Sequence, residues 1–275
     1  LMKRTAEVTR ENKYDAALCL GFETTLFGLG LPSFKELPLF IFHHKNIDEL
    51  TNKIKRLFFG SYKNRVYHVV FEEFFRNRLI KEIGVPTHRV FVVPHPVKRI
   101  VSLQTEQKYD CIGLCNSNDE SFIQEAIGRE QVFRQEGLRI LLRSKKVEKK
   151  DGYVEVIKGF LEKDKYDELI AAGKTVFVPL PESYIYRLSG SIYDALSRNK
   201  LVYTTSKYYA KEYERRYPGT CKYVDSVEQL IESLQKYRHD DVTLSFQKFI
   251  EGHSIETVTR DIEEMVRTVL QGVRA

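Results

Sequence analysis

Val176–Thr205, VFVPLPESYIYRLSGSIYDALSRNKLVYTT, reads as strand, loop, helix start, helix and strand. Val176 to Val178 is a short β-branched and aromatic run, stopped by Pro179 and Pro181. Ser189, Gly190 and Ser191 open a helix whose apolar face is Ile192, Ala195 and Leu196. Arg198, Asn199 and Lys200 close it, and Leu201 to Thr205 is the next strand. A small, hydroxyl-rich helix start behind a strand's carboxyl end aims free N–H groups and the helix dipole at one spot, which suits an anion. The same residues also describe an ordinary strand–helix–strand connection with a serine cap.

The alternation extends outward in both directions. Asp15–Leu20, Pro38–Phe42, Arg65–Phe71 and Arg89–Val93 are apolar strand-like runs. Ile47, Leu50, Ile54 and Leu57 predict one amphipathic helix over 46–59, with Asn46 or Asp48 near its start. Phe74, Phe75, Leu79 and Ile83 give the next helix its face, and Gly84 closes it. The polar connection 97–108 sets a boundary between residues 1–100 and 101–254. Beyond it, strands begin at Tyr109 and Leu138, at YVEVI, and in the segment quoted first. Helices are expected over about 119–135, 165–172, 207–217 and 226–237, and residues 255–275 form a C-terminal helix with an apolar stripe. Continuous apolar strands alternating with helices predict an α/β fold with parallel sheets covered on both faces. The expected arrangement is two Rossmann-like domains facing a cleft.

Composition bounds the function. The chain has 275 residues, 42% hydrophobic and 30% charged, enough for two packed domains. No apolar run approaches the roughly 20 residues of a membrane span, and LMKRTAEVTRENK has no signal-type apolar core. Cys19, Cys111, Cys115 and Cys221 are scattered, which suits thiols in a reducing cytoplasm. The net charge of +6 is modest and its basic residues are interspersed with acidic ones, so no nucleic-acid module is read. Neither a Gly-rich dinucleotide fingerprint nor a Lys-containing phosphate loop occurs, which argues against a dehydrogenase or an ATP-driven enzyme.

With these segments in order, the chain resembles the GT-B glycosyltransferases, and within them the retaining, nucleotide-sugar-dependent branch known as glycosyl transferases group 1. SGSIYDALSRNKLVYTT is similar to the family's diphosphate-binding helix start. VIKGFLEKDKYDELIAAGKTVFVPLP looks like the unit before it, RVFVVPHPV like the interdomain strand and turn, and VYHVVFEEFFRNRLIKEIGVP like a unit of the first domain. The resemblance covers most of residues 36–238. It departs from the pattern at Tyr186, which stands where the family usually has the first of two Glu, and in a first domain that reads as short and incomplete.

The resemblance implies a glycosyltransferase moving a sugar from a nucleotide-diphosphate donor to a glycan, lipid-linked or protein acceptor, in bacterial surface polysaccharide or glycoconjugate synthesis. The alternative is a non-catalytic GT-B-like subunit that binds carbohydrate or a partner. Asp194 would accept the ribose hydroxyls, or is a plain first-turns acid favoured by the dipole. Ser189, Gly190 and Ser191 would hold the diphosphate, with Arg187, Arg143 and Lys149 adding charge and Asn116 in the neighbouring loop. His43 or His44, at a strand end, would meet the reacting sugar, as would Glu182; His95 reads as structural. No Asp-x-Asp pair occurs, so no metal or other cofactor is expected and the donor enters as substrate. The expected location is the cytoplasm, with peripheral association at the inner membrane surface.

Overall fold

The structure, a computed structural model, describes residues 8, 11, 14–31, 37–98, 100, 106–237 and 242–274. The expected loop 22–35, the connection 97–108 and the N-terminal stretch lie partly outside them. The chain divides into two compact units, one of Leu1–Pro96, Ile185–Leu188 and His253–Ala275, the other of Val97–Tyr184 and Ser189–Gly252.

In the first unit the order is β1 (Ala17–Cys19), α1 (Thr24–Gly30), β2 (Leu39–Phe42), α2 (Asn46–Glu49), α3 (Lys53–Tyr62), β3 (Tyr67–Val70), α4 (Glu73–Lys81) and β4 (Val90–Val92). The strands pair in parallel in the order β1-β2-β3-β4. β2 is buried at every position, as its unbroken LFIF predicts for a sheet covered on both faces. The helix expected over 46–59 is two helices. Asn52 interrupts it, its side chain accepting from the N–H groups of Ile54 and Lys55 as the cap of α3. The restart changes which face is buried. Ile47 and Leu50 are in the core, whereas Ile54 and Leu57 are 64% and 76% exposed and Phe59 and Tyr62 are buried in their stead.

The second unit runs β5 (Tyr109–Gly113), α5 (Glu120–Gly128), α6 (Glu130–Gln135), β6 (Ile140–Ser144), β7 (Val154–Lys158), α7 (Lys163–Ala171), β8 (Gly173–Val178), α8 (Gly190–Ser197), β9 (Val202–Thr204), α9 (Lys207–Arg216), β10 (Cys221–Tyr223), α10 (Val227–Gln235) and α11 (Thr243–Gly252). Its six strands, all parallel, take the order β10-β9-β8-β5-β6-β7. The helix expected over 119–135 breaks at Arg129 into α5 and α6. Ile192, Ala195 and Leu196 of α8 are fully buried, the apolar face its spacing predicts.

The last helix, α12 (Ile255–Arg274), returns to the first unit. Its Val258, Met265 and Val269 join Phe40, Phe42, Val69, Phe71 and Val93 in one core cluster. Among the described residues no helix is long and apolar enough to cross a membrane.

Packing is close where β5 meets its neighbours. A Cβ built on Gly113 would lie 2.9 Å from Leu142 Cδ2 and 3.0 Å from the carbonyl oxygen of Phe177. Gly113→Ala is therefore expected to cost about 1–3 kcal/mol by overpacking. The measurement is urea unfolding, with a lower midpoint and an unchanged slope.

Candidate functional site

At the carboxyl ends of β5 and β6 two of the residues singled out for donor binding, Arg143 and Asn116, meet. Arg143 is the penultimate residue of β6 and is buried. Its Nε donates to the carbonyl of Gly159 at 2.6 Å and its terminal nitrogen to Asn116 Oδ1 at 3.2 Å. Asn118 fixes the loop behind them: its amide nitrogen donates to Gly113 O and to Arg143 O, both at 2.9 Å. Asp119 N–H donates to Pro179 O, which ties the same loop to the end of β8. Asn118 is thus the positioning residue of this edge. Its signal was in the sequence, as an Asn two residues after Asn116 in a strand-terminal turn.

α8 starts one strand away. Ser189 is its cap, and the Ser189 carbonyl accepts from Ile192 and Tyr193. The amides of Gly190 and Ser191, in the first turn of the helix, have no hydrogen-bond acceptor among the described residues. Ser189 is buried, its Oγ has no hydrogen-bond partner among the described residues, and its N–H donates to Tyr209 Oη at 3.1 Å. A Cβ added to Gly190 would meet nothing within 4 Å, so the approach to this helix start is open on that side. Unsatisfied donors, an unpartnered buried hydroxyl and the dipole converge there, as an anion requires.

Asp194 faces a network of its own. Tyr166 donates to Asp194 Oδ2 at 2.9 Å, and Arg198 Nε lies 3.2 and 3.3 Å from the two carboxylate oxygens. The far side of the Arg198 guanidinium donates to Asp167 at 2.5 Å. Burial, followed by the Asp194 charge, pushes the Tyr166 phenol well up, so it remains a donor. The spacing of Asp194 and Arg198, one helical turn apart, was readable as an ion pair. The contribution of Tyr166 from α7 was not.

Lys149 does not join these residues. Its ammonium donates to Glu130, to the Asp151 carbonyl and to the Val154 carbonyl. Val154 begins β7, so Lys149 caps the amino end of that strand, opposite to the end that Arg143 occupies. Glu182 is exposed in the turn closed by Tyr184 N–H on Pro181 O.

Three further candidates belong to the first unit. Arg187 Nε lies 3.6 Å from Asp48 Oδ2, and Asp48 Oδ1 accepts the Tyr186 N–H at 2.7 Å. Burial raises the Asp48 carboxyl above its usual range, against the opposing pull of that amide and of Arg187. Tyr186 packs its ring against Phe74 and Phe75, under the Arg78 guanidinium. His43 is fully buried, and His44 is the histidine of the pair that reaches the surface. His44 donates through Nε2 to Leu20 O at 2.9 Å and lies against Phe71 and His95.

His43 instead meets His68, Nε2 to Nδ1 at 2.9 Å, and His68 Nε2 contacts Lys63 O at 2.8 Å. The tautomers follow. A carbonyl accepts only, so His68 carries its proton on Nε2; its Nδ1 then accepts, and His43 carries its proton on Nε2. His43 Nδ1 is left as a bare, buried acceptor without a hydrogen-bond partner among the described residues. Burial lowers His68 to about 4 and holds His43 well below its ordinary value, so both rings are neutral. Among the described residues no group of three or more His, Cys, Asp or Glu is placed to hold a metal ion.

No family model and no curated protein sequence matches the chain. Solved structures do. A glycosyltransferase from Rickettsia africae superposes with a TM-score of 0.65 at 10% identity, covering 98% of this chain and 80% of that one. Anabaena HepE, solved with UDP-glucose, gives 0.64 at 10% identity, over 98% of this chain and 81% of that one. TarM gives 0.65 at 14% identity, over 95% of this chain, which spans 57% of TarM. Two parallel-sheet α/β units matched to these proteins over nearly their whole length give the chain the GT-B fold.

Proposed function

We propose that this protein is a glycosyltransferase whose second unit binds a nucleotide-diphosphate sugar. The observation that carries the reading is the start of α8. The free Gly190 and Ser191 amides and the unpartnered Ser189 hydroxyl form an anion site on the sheet edge where Arg143 is held by Gly159 and Asn116. In this reading the diphosphate sits on the helix start, Arg143 adds charge, and Asp194 turns a carboxylate oxygen to the ribose. The leaving nucleoside diphosphate is stabilised by fixed N–H groups and a cation, with no metal required of the protein. The acceptor is a glycan, in surface polysaccharide or glycoconjugate synthesis; HepE with UDP-glucose and the lipopolysaccharide galactosyltransferase WaaB, both similar in fold, support this class.

Calorimetry with UDP, GDP and their sugars tests the reading. Micromolar to millimolar binding of at least one is expected. Arg143→Ala should weaken it about ten- to a hundredfold, the worth of a charge-assisted hydrogen bond to phosphate. A folded chain that binds none of these nucleotides sinks the proposal.

A second reading, a non-catalytic GT-B-like subunit, has one observation in its favour. Tyr186, standing where the resemblance calls for a carboxylate, is locked by its amide on Asp48 and by its ring on Phe74 and Phe75. The GtfA/B complex is among the similar structures. Turnover of any sugar nucleotide by the purified chain decides against this reading.

A further inference from the structure

Past Lys158 at the end of β7 the backbone turns through Gly159 at φ +93°, a conformation that glycine adopts freely. The turn carries Phe160 outward, to 77% exposure, more than any other large hydrophobic side chain among the described residues. Here it is not isolated: the Arg143 guanidinium lies 5.8 Å from the ring centroid. That guanidinium is itself fixed, by Gly159 O at 2.6 Å and by Asn116. An open aromatic face is thus set beside an immobilised cation.

β7, β6, β5 and β8 are consecutive, parallel neighbours, so the turn carrying Phe160, the end of β6 with Arg143 and the loop that leads on to α8 all leave the sheet from its carboxyl edge.

We propose that Phe160 is the platform on which the nucleobase of the donor stacks, with Arg143 beside it directing the diphosphate toward α8. The inference rests on the donor reading above and adds to it the residue that holds the base. Stacking is indifferent to base identity because every base has a π face, so Phe160 sets affinity for nucleoside diphosphates as a class.

The chain contains no tryptophan, so Phe160→Trp introduces a single indole. The expected results are that Phe160→Trp binds UDP or GDP as the wild type does, with its emission quenched on binding. Phe160→Ala should lose about ten- to a hundredfold in affinity for the same nucleotide. Its affinity for inorganic pyrophosphate and its urea midpoint should be unchanged. Wild-type affinity for the nucleoside diphosphate in Phe160→Ala, or an equal loss for pyrophosphate, overturns the platform and leaves the donor reading standing. A wild-type chain that takes pyrophosphate but no nucleoside diphosphate overturns both.

Discussion

Between pH 7 and pH 4 the first unit should lose about 3 kcal/mol of stability through His68, with His43 acting in the same direction. His68 is lowered to about 4 in the fold, chiefly by burial, against an ordinary value of 6.5. Below 6.5 the unfolded chain takes up a proton that the folded one refuses. Unfolded molecules then bind more protons than folded ones, so stability rises with pH and falls as acid is added. The loss begins near the unfolded value and continues to the folded one, at 1.36 kcal/mol per unit for each ring. Burial lowers His43 as well, and a charge on His68 adds to the effect, so the two rings act in the same direction. Urea unfolding at pH 7, 5.5 and 4 measures the effect. The double variant His43→Leu, His68→Leu should flatten the pH dependence of the first unit over this window. An unchanged slope in the variant would show that the pair is not its source.

Arg198→Ala carries the second large effect, a loss of about 3 kcal/mol. Its side chain is 4% exposed and joins Asp194 to Asp167, whose side chains are 25% and 24% exposed. Removing one member of a buried ion pair strands the others, at about 3–5 kcal/mol. Both carboxylates retain some water, which places the expectation at the low end. A double-mutant cycle with Asp194→Asn separates the pair from the packing of the arginine stem, and a coupling of about 1–3 kcal/mol is expected. Additive effects would mean that Arg198 acts through its stem alone. The variant has a functional readout too: an Asp194 carboxylate released from Arg198 is no longer oriented, and nucleotide affinity should fall about tenfold if that carboxylate holds ribose.

The strand positions were legible because parallel strands covered on both faces are unbroken apolar runs, as in LFIF. The α8 cap and its buried face were legible for the same kind of reason, three apolar side chains at helical spacing behind a serine. The helix across 46–59 was misread because its apolar spacing continues through Asn52, while the Asn side chain binds the next amides and starts a new helix. Periodicity cannot show that Ile54 and Leu57 face out when the phase resets between turns. Lys149 was misplaced because the loop before β7 pairs back on Val156, and that antiparallel bridge returns the lysine to the amino end of the strand. The meeting of His43 with His68 depends on the parallel register of β2 and β3, in which Ile41 pairs with His68 and Phe42 with Val69. No local pattern carries that register.

The return of α12 to the first unit bears on how the protein is made. Val258, Met265 and Val269 belong to the core that Phe40, Phe42 and Val69 begin. On the ribosome that core stays open until α12 emerges, long after its sheet has been synthesised. The second unit has everything from β5 to α11 in hand earlier. Synthesis therefore favours a sequence of events opposite to the order of the chain, in which the later unit closes first and the earlier one waits for its last helix.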